Sequence, residues 1–320
     1  MELFTPPCLK LLFHSLLILF FLFNHANTQS QLHDQERATL LKIKEYLENP
    51  EFLSHWTTSS SSSHCSWQEI KCSSGSVTGL TLSNSSITQT IPSFVCDLKN
   101  LTVVDFYNNF IPGEFPTSLY YCSKLEYLDL SQNNFVGSIP HDIGSLSNNL
   151  KYLSLGYTNF SGDIPASIGR LKELRNLQLQ NSLLNGTFPA EIGNLSNLDT
   201  LDLSSNNMLP PSKLHGDWTR LNKLKFFFMF QSNLVGEIPQ TIGNMVALER
   251  LDLSQNNLSG PIPSGLFMLE NLSIMFLSRN NLSGEIPDVV EALNLTIIDL
   301  TRNVISGKIP DGFGKLQKLT

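Results

Sequence analysis

Residues that could act in catalysis are few and widely separated in this 320-residue chain. The sequence contains no Gly-x-Ser-x-Gly, no His-Glu-x-x-His, no phosphate-binding loop and no kinase motif. Five of the seven histidines fall in segments that we predict to be exposed, where histidines stay solvated: His33, His55, His64, His141 and His215. The other two, His14 and His25, lie in or near an apolar N-terminal segment. We therefore predict no catalytic residue, no cofactor and no enzyme activity.

Cysteines are the second group with possible chemistry. Four follow the N-terminal segment, and an even number in a secreted chain favours disulfide bonds: Cys65, Cys72, Cys96 and Cys122. The first two flank Trp67, and the last two are one sequence repeat plus two residues apart, so that stacked repeats would bring them close. A zinc site is the alternative, but it needs Cys-x-x-Cys or paired histidines, which the sequence lacks. We predict disulfides and no metal, and the pairing stays open.

A third group could bind a partner rather than react with it. Aromatic residues recur at positions that should point outward from short strands: Tyr107, Tyr127, Tyr152, Tyr157, Phe226, Phe228, Phe230 and Phe276. Exposed aromatic side chains on a rigid sheet are effective anchors for a ligand. An aspartate column runs beside them, with Arg250, Arg279 and Arg302 nearby: Asp105, Asp129, Asp202, Asp252 and Asp299. These aspartates either bind a ligand or merely solvate the sheet. We predict a ligand site at Tyr107, Tyr127, Tyr152, Tyr157, Phe226, Phe228, Arg250 and Phe276.

A repeat of about 24 residues must position all these side chains. Prolines mark it at positions 92, 116, 140, 165, 189, 239, 263, 287 and 310. Each turn carries two apolar residues separated by one residue, as in Leu128-Asp-Leu130 and Leu251-Asp-Leu253, which is strand-like alternation. Ten such turns run from Leu80-Thr-Leu82 to Ile298-Asp-Leu300. A fixed period of this length predicts an α/β solenoid with short parallel strands on its concave face.

An asparagine ladder is predicted inside the stack, three residues after the second apolar position. A carboxamide can satisfy both N–H and C=O groups that the chain exposes where it leaves the strand. The ladder comprises Asn109, Asn133, Asn206, Asn256, Asn280 and Asn303. Four turns carry a hydroxyl instead, and we predict that each is looser by about 1 kcal/mol: Ser85, Thr158, Ser182 and Ser232. Turn 6 also has Pro210 in the glycine position, which predicts a bulged outer loop.

The chain divides into three predicted segments. Residues 1–30 have the short apolar run of a secretory signal peptide, with an uncleaved anchor as the alternative. Residues 31–75 should form an N-terminal cap, with a helix over 33–49 that has Asp34 as its N-cap and Ala38, Leu40, Leu41, Ile43 and Leu47 on its apolar side. Residues 76–320 should hold ten repeats and the start of an eleventh. Because the eleventh repeat is incomplete, we expect the chain to be the front portion of a longer protein or a truncated gene product.

Charge and glycosylation motifs also limit the possible partners. A net charge of −7 argues against nucleic-acid binding, because that requires clustered Lys and Arg. Nine Asn-x-Ser/Thr sequons suit a glycoprotein of the secretory pathway, although Asn-Leu-Ser also belongs to the repeat pattern. They lie at Asn84, Asn100, Asn159, Asn185, Asn194, Asn257, Asn271, Asn281 and Asn294.

The repeat LxxLxLxxNxLxGxIPxxIGxL resembles the plant extracellular type of leucine-rich repeat. The segment Leu40-Leu41-x-Ile-Lys44 through Cys65-x-Trp67-x-Glu69-Ile70-x-Cys72 is similar to the N-terminal cap of plant receptor kinases. The phrase Asn159-Phe-Ser-Gly-Asp-Ile-Pro165 and the lengthened turn at 206–226 resemble the HAESA-like peptide-receptor kinases. The resemblance implies a right-handed superhelix, a secreted peptide ligand and a co-receptor leucine-rich-repeat kinase whose contact surface lies in later repeats. It also implies a membrane span and a cytoplasmic Ser/Thr kinase, both outside this sequence.

Three functions follow from these observations. The first is the extracellular peptide-binding domain of a plant receptor-like kinase at the cell surface, since ten strands at about 4.8 Å would span roughly 45 Å and accommodate an extended peptide of about 13 residues. The second is a stand-alone secreted inhibitor resembling the polygalacturonase-inhibiting proteins, although those end in a cysteine-bearing cap and no cysteine follows Cys122. The third is a non-functional truncated paralogue.

Overall fold

The computed structural model describes residues 31–58 and 63–320. It divides into two compact units, residues 1–80 and residues 81–320. The predicted signal peptide lies outside the described residues. In the described part of the chain, no helix combines the length and apolar character needed to cross a membrane.

The first unit combines a helix with a two-stranded hairpin. Helix α1 covers residues 31–46, so Asp34 lies inside the helix and the prediction that it is the N-cap was wrong. Leu40, Ile43 and Leu47 are buried, whereas Ala38 is exposed and Leu41 only half-buried, so the apolar stripe is narrower than predicted. Strands β1 (Ile70–Ser73) and β2 (Ser76–Thr81) pair antiparallel.

Two tryptophans and a disulfide hold the loop between α1 and the hairpin. The rings of Trp56 and Trp67 stack with centroids 5.0 Å apart, and the Trp56 indole N–H donates to Glu69 Oε2 at 2.9 Å. Cys65 is bonded to Cys72. The Cys65 sulfur lies near His33 and His64 in a group whose possible ligand atoms are within 4.8 Å of one another. Because this sulfur is part of a disulfide, it is not available as a thiolate ligand.

His64 is fully buried in the first unit, which contradicts its predicted exposure. Its ring lies 4.1 Å from the His33 ring, and its Nε2 atom is 3.5 Å from Glu36 Oε2, while Glu36 is itself only 2% exposed. Neither ring nitrogen has a hydrogen-bond partner among the described residues. Burial, followed by the charges of His33 and Arg37, lowers the pKa of His64 to about 4. Burial raises the pKa of Glu36, although a hydrogen bond from the Val77 N–H opposes that shift.

This histidine predicts an acid-sensitive stability. Below its ordinary pKa of 6.5, His64 takes up a proton in the unfolded chain but not in the folded chain until the pH nears 4. The unfolded state then binds more protons, so the free energy of unfolding falls as pH drops between these values, by about 3 kcal/mol. Glu36 opposes this fall, because its raised pKa lets the folded state take up a proton first.

Chemical denaturation at several pH values tests this expectation. His64→Gln should make the free energy of unfolding less dependent on pH between pH 6.5 and 4. His141→Gln, on the exposed surface, should leave this pH dependence unchanged. Equal slopes for all three proteins would show that His64 is not the responsible group.

The second unit is a stack of repeats around a parallel sheet. Nine strands pair in register in the order β3-β5-β7-β9-β11-β12-β14-β16-β18, and two-residue to five-residue strands form a second set of parallel pairs along one edge. The strands of the unit are, in chain order, β3 (Val103–Asp105), β4 (Pro112–Gly113), β5 (Tyr127–Asp129), β6 (Asn134–Phe135), β7 (Tyr152–Ser154), β8 (Ser161–Gly162), β9 (Asn176–Gln178), β10 (Leu183–Leu184), β11 (Thr200–Asp202), β12 (Phe226–Phe228), β13 (Val235–Glu237), β14 (Arg250–Asp252), β15 (Asn257–Gly260), β16 (Ile274–Phe276), β17 (Asn281–Glu285), β18 (Ile297–Asp299) and β19 (Val304–Ser306).

The parallel sheet and its inward apolar residues confirm the predicted fold. In the first nine turns the two named apolar positions are buried, as with Leu128 and Leu130. In the tenth turn Ile298 and Leu300 are half-buried. The second set of short strands was not predicted, because its residues lack the two-residue alternation of the main strands.

Short 3-10 helices return the chain on the far side of the sheet. They span Val95–Asp97, Thr117–Tyr121, Ile143–Ser145, Ala166–Arg170, Ala190–Asn194, Gly216–Arg220, Gln240–Asn244, Ser264–Met268 and Asp311–Lys315. The repeat proline directly precedes most of them, as Pro165 and Pro239 do. Its fixed φ suits the entry to a helix, and its missing N–H is not needed there.

The asparagine ladder forms as predicted and links adjacent turns. Asn133 Oδ1 accepts from the Ile111 N–H at 3.0 Å, and Asn133 Nδ2 donates to the carbonyls of Phe106 and Leu130 at 2.8 and 3.1 Å. The shorter hydroxyl groups make fewer bonds: Thr158 donates only to the Leu155 carbonyl at 2.7 Å and contacts Ser182 Oγ at 3.4 Å. We call the surface along these exit bends the ladder edge. Turns 3 to 6 meet it at residues 132–134, 157–159, 181–183 and 205–208.

Turn 6 interrupts the second set of short strands, in agreement with its Pro210 in the usual glycine position. Only an isolated bridge joins Ser212 and Leu234 where neighbouring turns form strands. Trp218 fills the interior of this turn at 1% exposure, and its indole N–H donates to the Pro189 carbonyl at 3.0 Å. His215, predicted to be solvated, is instead half-buried and lies 3.0 Å from the Phe188 carbonyl through Nε2.

A disulfide joins two adjacent turns of the second unit. Cys96 is bonded to Cys122, with a sequence separation of 26 residues. Closing a loop of this length in the unfolded chain stabilises the fold by about 3 kcal/mol in the chain-entropy model. Replacing both cysteines by serine should therefore lower the free energy of unfolding by about that amount, measured by urea denaturation. The first turns should open before the rest of the stack, so hydrogen exchange that stays unchanged around residues 90–125 would contradict this prediction.

Candidate functional site

The outward face of the nine-strand sheet presents two continuous columns of side chains. We call it the sheet face. Register pairs place one column in the order Val103, Tyr127, Tyr152, Asn176, Thr200, Phe226, Arg250, Ile274 and Ile297. The other column runs Asp105, Asp129, Ser154, Gln178, Asp202, Phe228, Asp252, Phe276 and Asp299. The predicted aromatic residues on these strands are therefore brought onto one surface.

Two tyrosines form a stacked pair over a buried carboxylate at one end of the sheet face. The rings of Tyr127 and Tyr152 are 4.2 Å apart and nearly parallel, at 11°. Both hydroxyl groups lie 3.4 Å from Asp129 Oδ2, and Asp129 is only 5% exposed. Burial raises the pKa of both tyrosines, and the nearby charge of Asp129 adds to the rise, so both hydroxyl groups remain neutral donors. The pair offers a flat ring surface with hydroxyl groups at its margin.

Three phenylalanines make the next part of the sheet face apolar. Phe226 and Phe228 project from β12 with ring centroids 6.4 Å apart, and Phe230 follows at the next outward position. All three are half-buried. The guanidinium carbon of Arg250 lies 5.8 Å from the centre of the Phe226 ring, a cation–π distance. The sheet face therefore changes along its length from tyrosine and carboxylate to phenylalanine and arginine.

The side-chain oxygens of the aspartate column accept hydrogen bonds from nearby backbone N–H groups. Asp129, Asp202 and Asp252 each accept from the backbone N–H two residues later, at 2.9 to 3.0 Å. Burial raises the pKa of Asp105, Asp202 and Asp252, and these hydrogen bonds oppose the shift. Burial favours a higher pKa for Asp299 as well, but hydrogen bonds from Thr301 outweigh this effect, and the pKa of Asp299 is lowered. These contacts favour the structural role over direct ligand binding for the column.

The remaining predicted site residues are less uniform in position. Tyr107 and Phe276 are half-buried on the sheet face, as expected. Tyr157 instead lies beyond β7 in the exit bend, at a φ of 53° and 47% exposed, so it belongs to the ladder edge. Ile274 and Ile297 extend the apolar part of the sheet face and were missed, because isoleucine outside the two inward positions has no distinct signal in the sequence.

The nine sequons avoid the sheet face. None occupies a position in its two columns, and eight of the nine asparagines are exposed, with Asn100 half-buried. Three lie on the ladder edge directly after the ladder residue: Asn159, Asn257 and Asn281. Glycans at the sequons would therefore leave the sheet face open.

Comparison with known proteins identifies the class to which this architecture belongs. The protein-family model of the leucine-rich-repeat N-terminal domain matches residues 33–73. The protein-family model of the leucine-rich repeat matches residues 124–146, 149–171, 247–269, 271–293 and 294–316. The chain is thus a leucine-rich-repeat protein with an N-terminal cap domain. It is homologous to plant leucine-rich-repeat receptor kinases.

Individual relatives support this assignment over part of their length. A probable receptor-like Ser/Thr kinase of Arabidopsis thaliana, RPK1, is 35% identical over 132 residues, which cover 34% of this chain and 24% of that protein. The Arabidopsis HAESA ectodomain, solved with an N-terminally extended IDA peptide hormone ligand, has a TM-score of 0.80 at 30% identity, and the match covers 91% of this chain. A plant ice-binding protein has a TM-score of 0.77 at 27% identity and covers 87% of this chain.

The extent of these matches differs between the relatives. The chain spans about half of the HAESA ectodomain, at 53%, but 89% of the ice-binding protein. The homologous kinases carry extracellular ectodomains at the cell surface, and this chain covers only the ectodomain region, which is non-catalytic.

Proposed function

We propose that this chain is the front part of the extracellular domain of a plant receptor-like kinase, and that its sheet face binds an extended secreted peptide. The observation that carries the proposal is the presence of two aromatic clusters, Tyr127 with Tyr152 and Phe226 with Phe228, on one face of a parallel sheet. Rigid aromatic side chains supply large contact areas at low entropic cost, which is typical of binding hot spots.

The dimensions of the sheet face suit such a ligand. Nine strands about 4.8 Å apart span roughly 38 Å, which an extended peptide of about 12 residues would cover. The sequons lie off this surface, so glycosylation would not block it. HAESA binds the IDA peptide and the co-receptor SERK1 in its solved complex. We propose a co-receptor kinase for this chain by the same logic, contacting a part of the receptor beyond these repeats.

Calorimetry with the secreted chain tests the proposal. Residues 31–320 would be titrated with synthetic secreted peptides, beginning with IDA and related hormones. Binding in the micromolar range or tighter supports the proposal, provided that it is lost when the aromatic side chains of the sheet face are removed. The proposal is contradicted if the peptides bind equally well to the unaltered chain and to the variant without these aromatic side chains, or if they bind to neither.

A second function, ice binding, has a specific observation in its favour. The plant ice-binding protein resembles this chain over nearly its whole length, and the ladder edge carries uncharged amide side chains at one position in six of the ten turns: Asn84, Asn108, Gln132, Asn181, Gln231 and Gln255. Backbone bonds join this position to the next turn, as from the Asn108 N–H to the Ser131 carbonyl at 3.1 Å. Tyr157 and Ser205 interrupt this row of water-binding groups, and Arg279 and Arg302 follow it.

Thermal hysteresis of the purified chain tests ice binding directly. A freezing-point depression beyond that of an equal concentration of albumin would support it, and its absence would exclude it. No observation favours an inhibitor resembling the polygalacturonase-inhibiting proteins over the receptor function.

A further inference from the structure

A groove on the ladder edge crosses turns 3 to 6 and has a volume of about 670 Å³. This volume lies within the range of about 300–1,000 Å³ that is usual for small-ligand sites. Six of the twelve lining residues carry a carboxamide, and none carries a charge. The groove is separate from the sheet face, since none of its lining residues lies in the two columns.

The groove coincides with the break in the asparagine ladder. Turns 4 and 5 carry Thr158 and Ser182 at the ladder position, between the complete ladder residues Asn133 and Asn206, and all but Asn206 line the groove. A hydroxyl side chain is shorter than a carboxamide, so two consecutive replacements leave free volume along the edge. The sequence irregularity and the cavity therefore have a common cause.

Besides the sequon residue Asn159, four carboxamides around the groove are free to bind a ligand. The side chains of Gln132, Asn134, Asn181 and Asn207 make no hydrogen bond to the described part of the protein. Elsewhere on the same edge some comparable side chains are paired, since Asn108 Nδ2 donates to Asn84 Oδ1 at 2.7 Å, and others, such as those of Gln231 and Gln255, are not paired with any described residue. The groove thus brings several unused donors and acceptors together.

This combination of groups matches a neutral saccharide. Each carboxamide offers both a donor and an acceptor to sugar hydroxyl groups. Tyr157, Leu183 and Met208 are 47%, 48% and 61% exposed, and they provide apolar surface for the C–H faces of sugar rings. The absence of charge from the lining disfavours a phosphate or a peptide terminus, which would need a counter-charge.

A sequon stands inside the groove, which identifies the source of the saccharide. Asn159-Phe-Ser161 follows Tyr157 by two residues, and the Asn159 side chain is exposed. We propose that an N-linked glycan on Asn159 folds into this groove and packs its first sugars against Tyr157. Covalent attachment gives these sugars a high effective concentration at the site. The proposal rests on the extracellular location put forward above.

The release of glycans by an endoglycosidase tests this arrangement. The full chain would be secreted from mammalian cells that make only high-mannose glycans, and digested with endoglycosidase H before and after denaturation. Glycopeptide mass spectrometry would give a rate at each sequon. We expect release at Asn159 to be at least tenfold slower in the native protein than in the denatured protein. Asn281 is the matched control, because it holds the same repeat position beside an intact ladder residue, and its two rates should agree within about threefold.

Two variants of Tyr157 isolate the packing contact. Tyr157→Asn removes the ring but suits the positive φ of this bend, and it should bring native release at Asn159 close to that at Asn281. Tyr157→Phe keeps the ring and should preserve slow release. Near-ultraviolet circular dichroism would confirm that both variants fold.

Several outcomes would overturn the proposal. Asn159 left unmodified while Asn281 carries a glycan, equal native rates at the two sites, or no effect of Tyr157→Asn would each exclude a glycan seated in the groove. Retention of the full chain in the cytosol, without glycans, would instead contradict entry into the secretory pathway and would remove the basis of the proposed receptor function as well.

Discussion

Replacing Tyr127, Tyr152 and Phe228 together by alanine is expected to weaken peptide binding at least 100-fold. These residues form the stacked pair and the centre of the phenylalanine cluster on the sheet face. Truncating a hot-spot aromatic residue costs about 2 kcal/mol or more, and each 1.4 kcal/mol corresponds to about a tenfold change in Kd. Calorimetry with the peptide selected by the screen would measure the change.

A control on another surface separates anchoring from general hydrophobicity. Tyr121 is the most exposed of the large apolar side chains, at 78%, and it lies in the 3-10 helix Thr117–Tyr121, away from the sheet face. Tyr121→Ala should leave the affinity unchanged. Wild-type affinity in the triple variant, with its circular dichroism spectrum intact, would place the ligand site elsewhere.

Replacing Asn133 by alanine is expected to lower the free energy of unfolding by about 4 kcal/mol. Its carboxamide is 4% exposed and makes four hydrogen bonds, to the Ile111 N–H and to the carbonyls of Phe106, Leu130 and Ser131. Each lost bond costs about 1 kcal/mol. Among the described residues, the Ile111 N–H and the Leu130 carbonyl are left without a partner, whereas the carbonyls of Phe106 and Ser131 keep bonds from Asn109 Nδ2 and the Asn108 N–H. Urea denaturation would measure the total.

The neighbouring asparagine is a matched control for this substitution. Asn134 is exposed, and its side chain makes no hydrogen bond to the described part of the protein. Asn134→Ala should change the free energy of unfolding by less than about 0.5 kcal/mol. A similar loss for both variants would show that the ladder bonds do not stabilise the stack.

The solenoid was predictable because its determinants are local and repeated. The spacing of the inward leucines, the ladder asparagine and the repeat proline recurs in each turn, so a single rule specifies ten similar units. The ladder bonds of Asn133 and the 3-10 helix entry at Pro165 agree with that rule. The edge strands escaped prediction, since their pairing depends on the neighbouring turn.

Side-chain environments were predicted less well where they depend on non-local contacts. His64 has the sequence surroundings of an exposed loop, yet α1 and the hairpin enclose it beside Glu36. Tyr157 follows an outward-pointing pattern, yet the exit bend turns it onto the ladder edge. The aspartate column could have bound a ligand by its residue type, but its hydrogen bonds to the following N–H groups were visible only in the structure.

The amino-acid sequence by itself determined the repeat architecture, the cap, the ladder and the identity of the outward aromatic residues, because periodic apolar spacing decides which side chains are buried in every turn. Only the tertiary structure decided which cysteines pair, which aromatic residues share the sheet face, and where a break in the ladder opens a groove. Apart from the Cys65–Cys72 bond within the first unit, these features depend on distances between residues some 25 positions apart, and stacking of successive turns sets those distances.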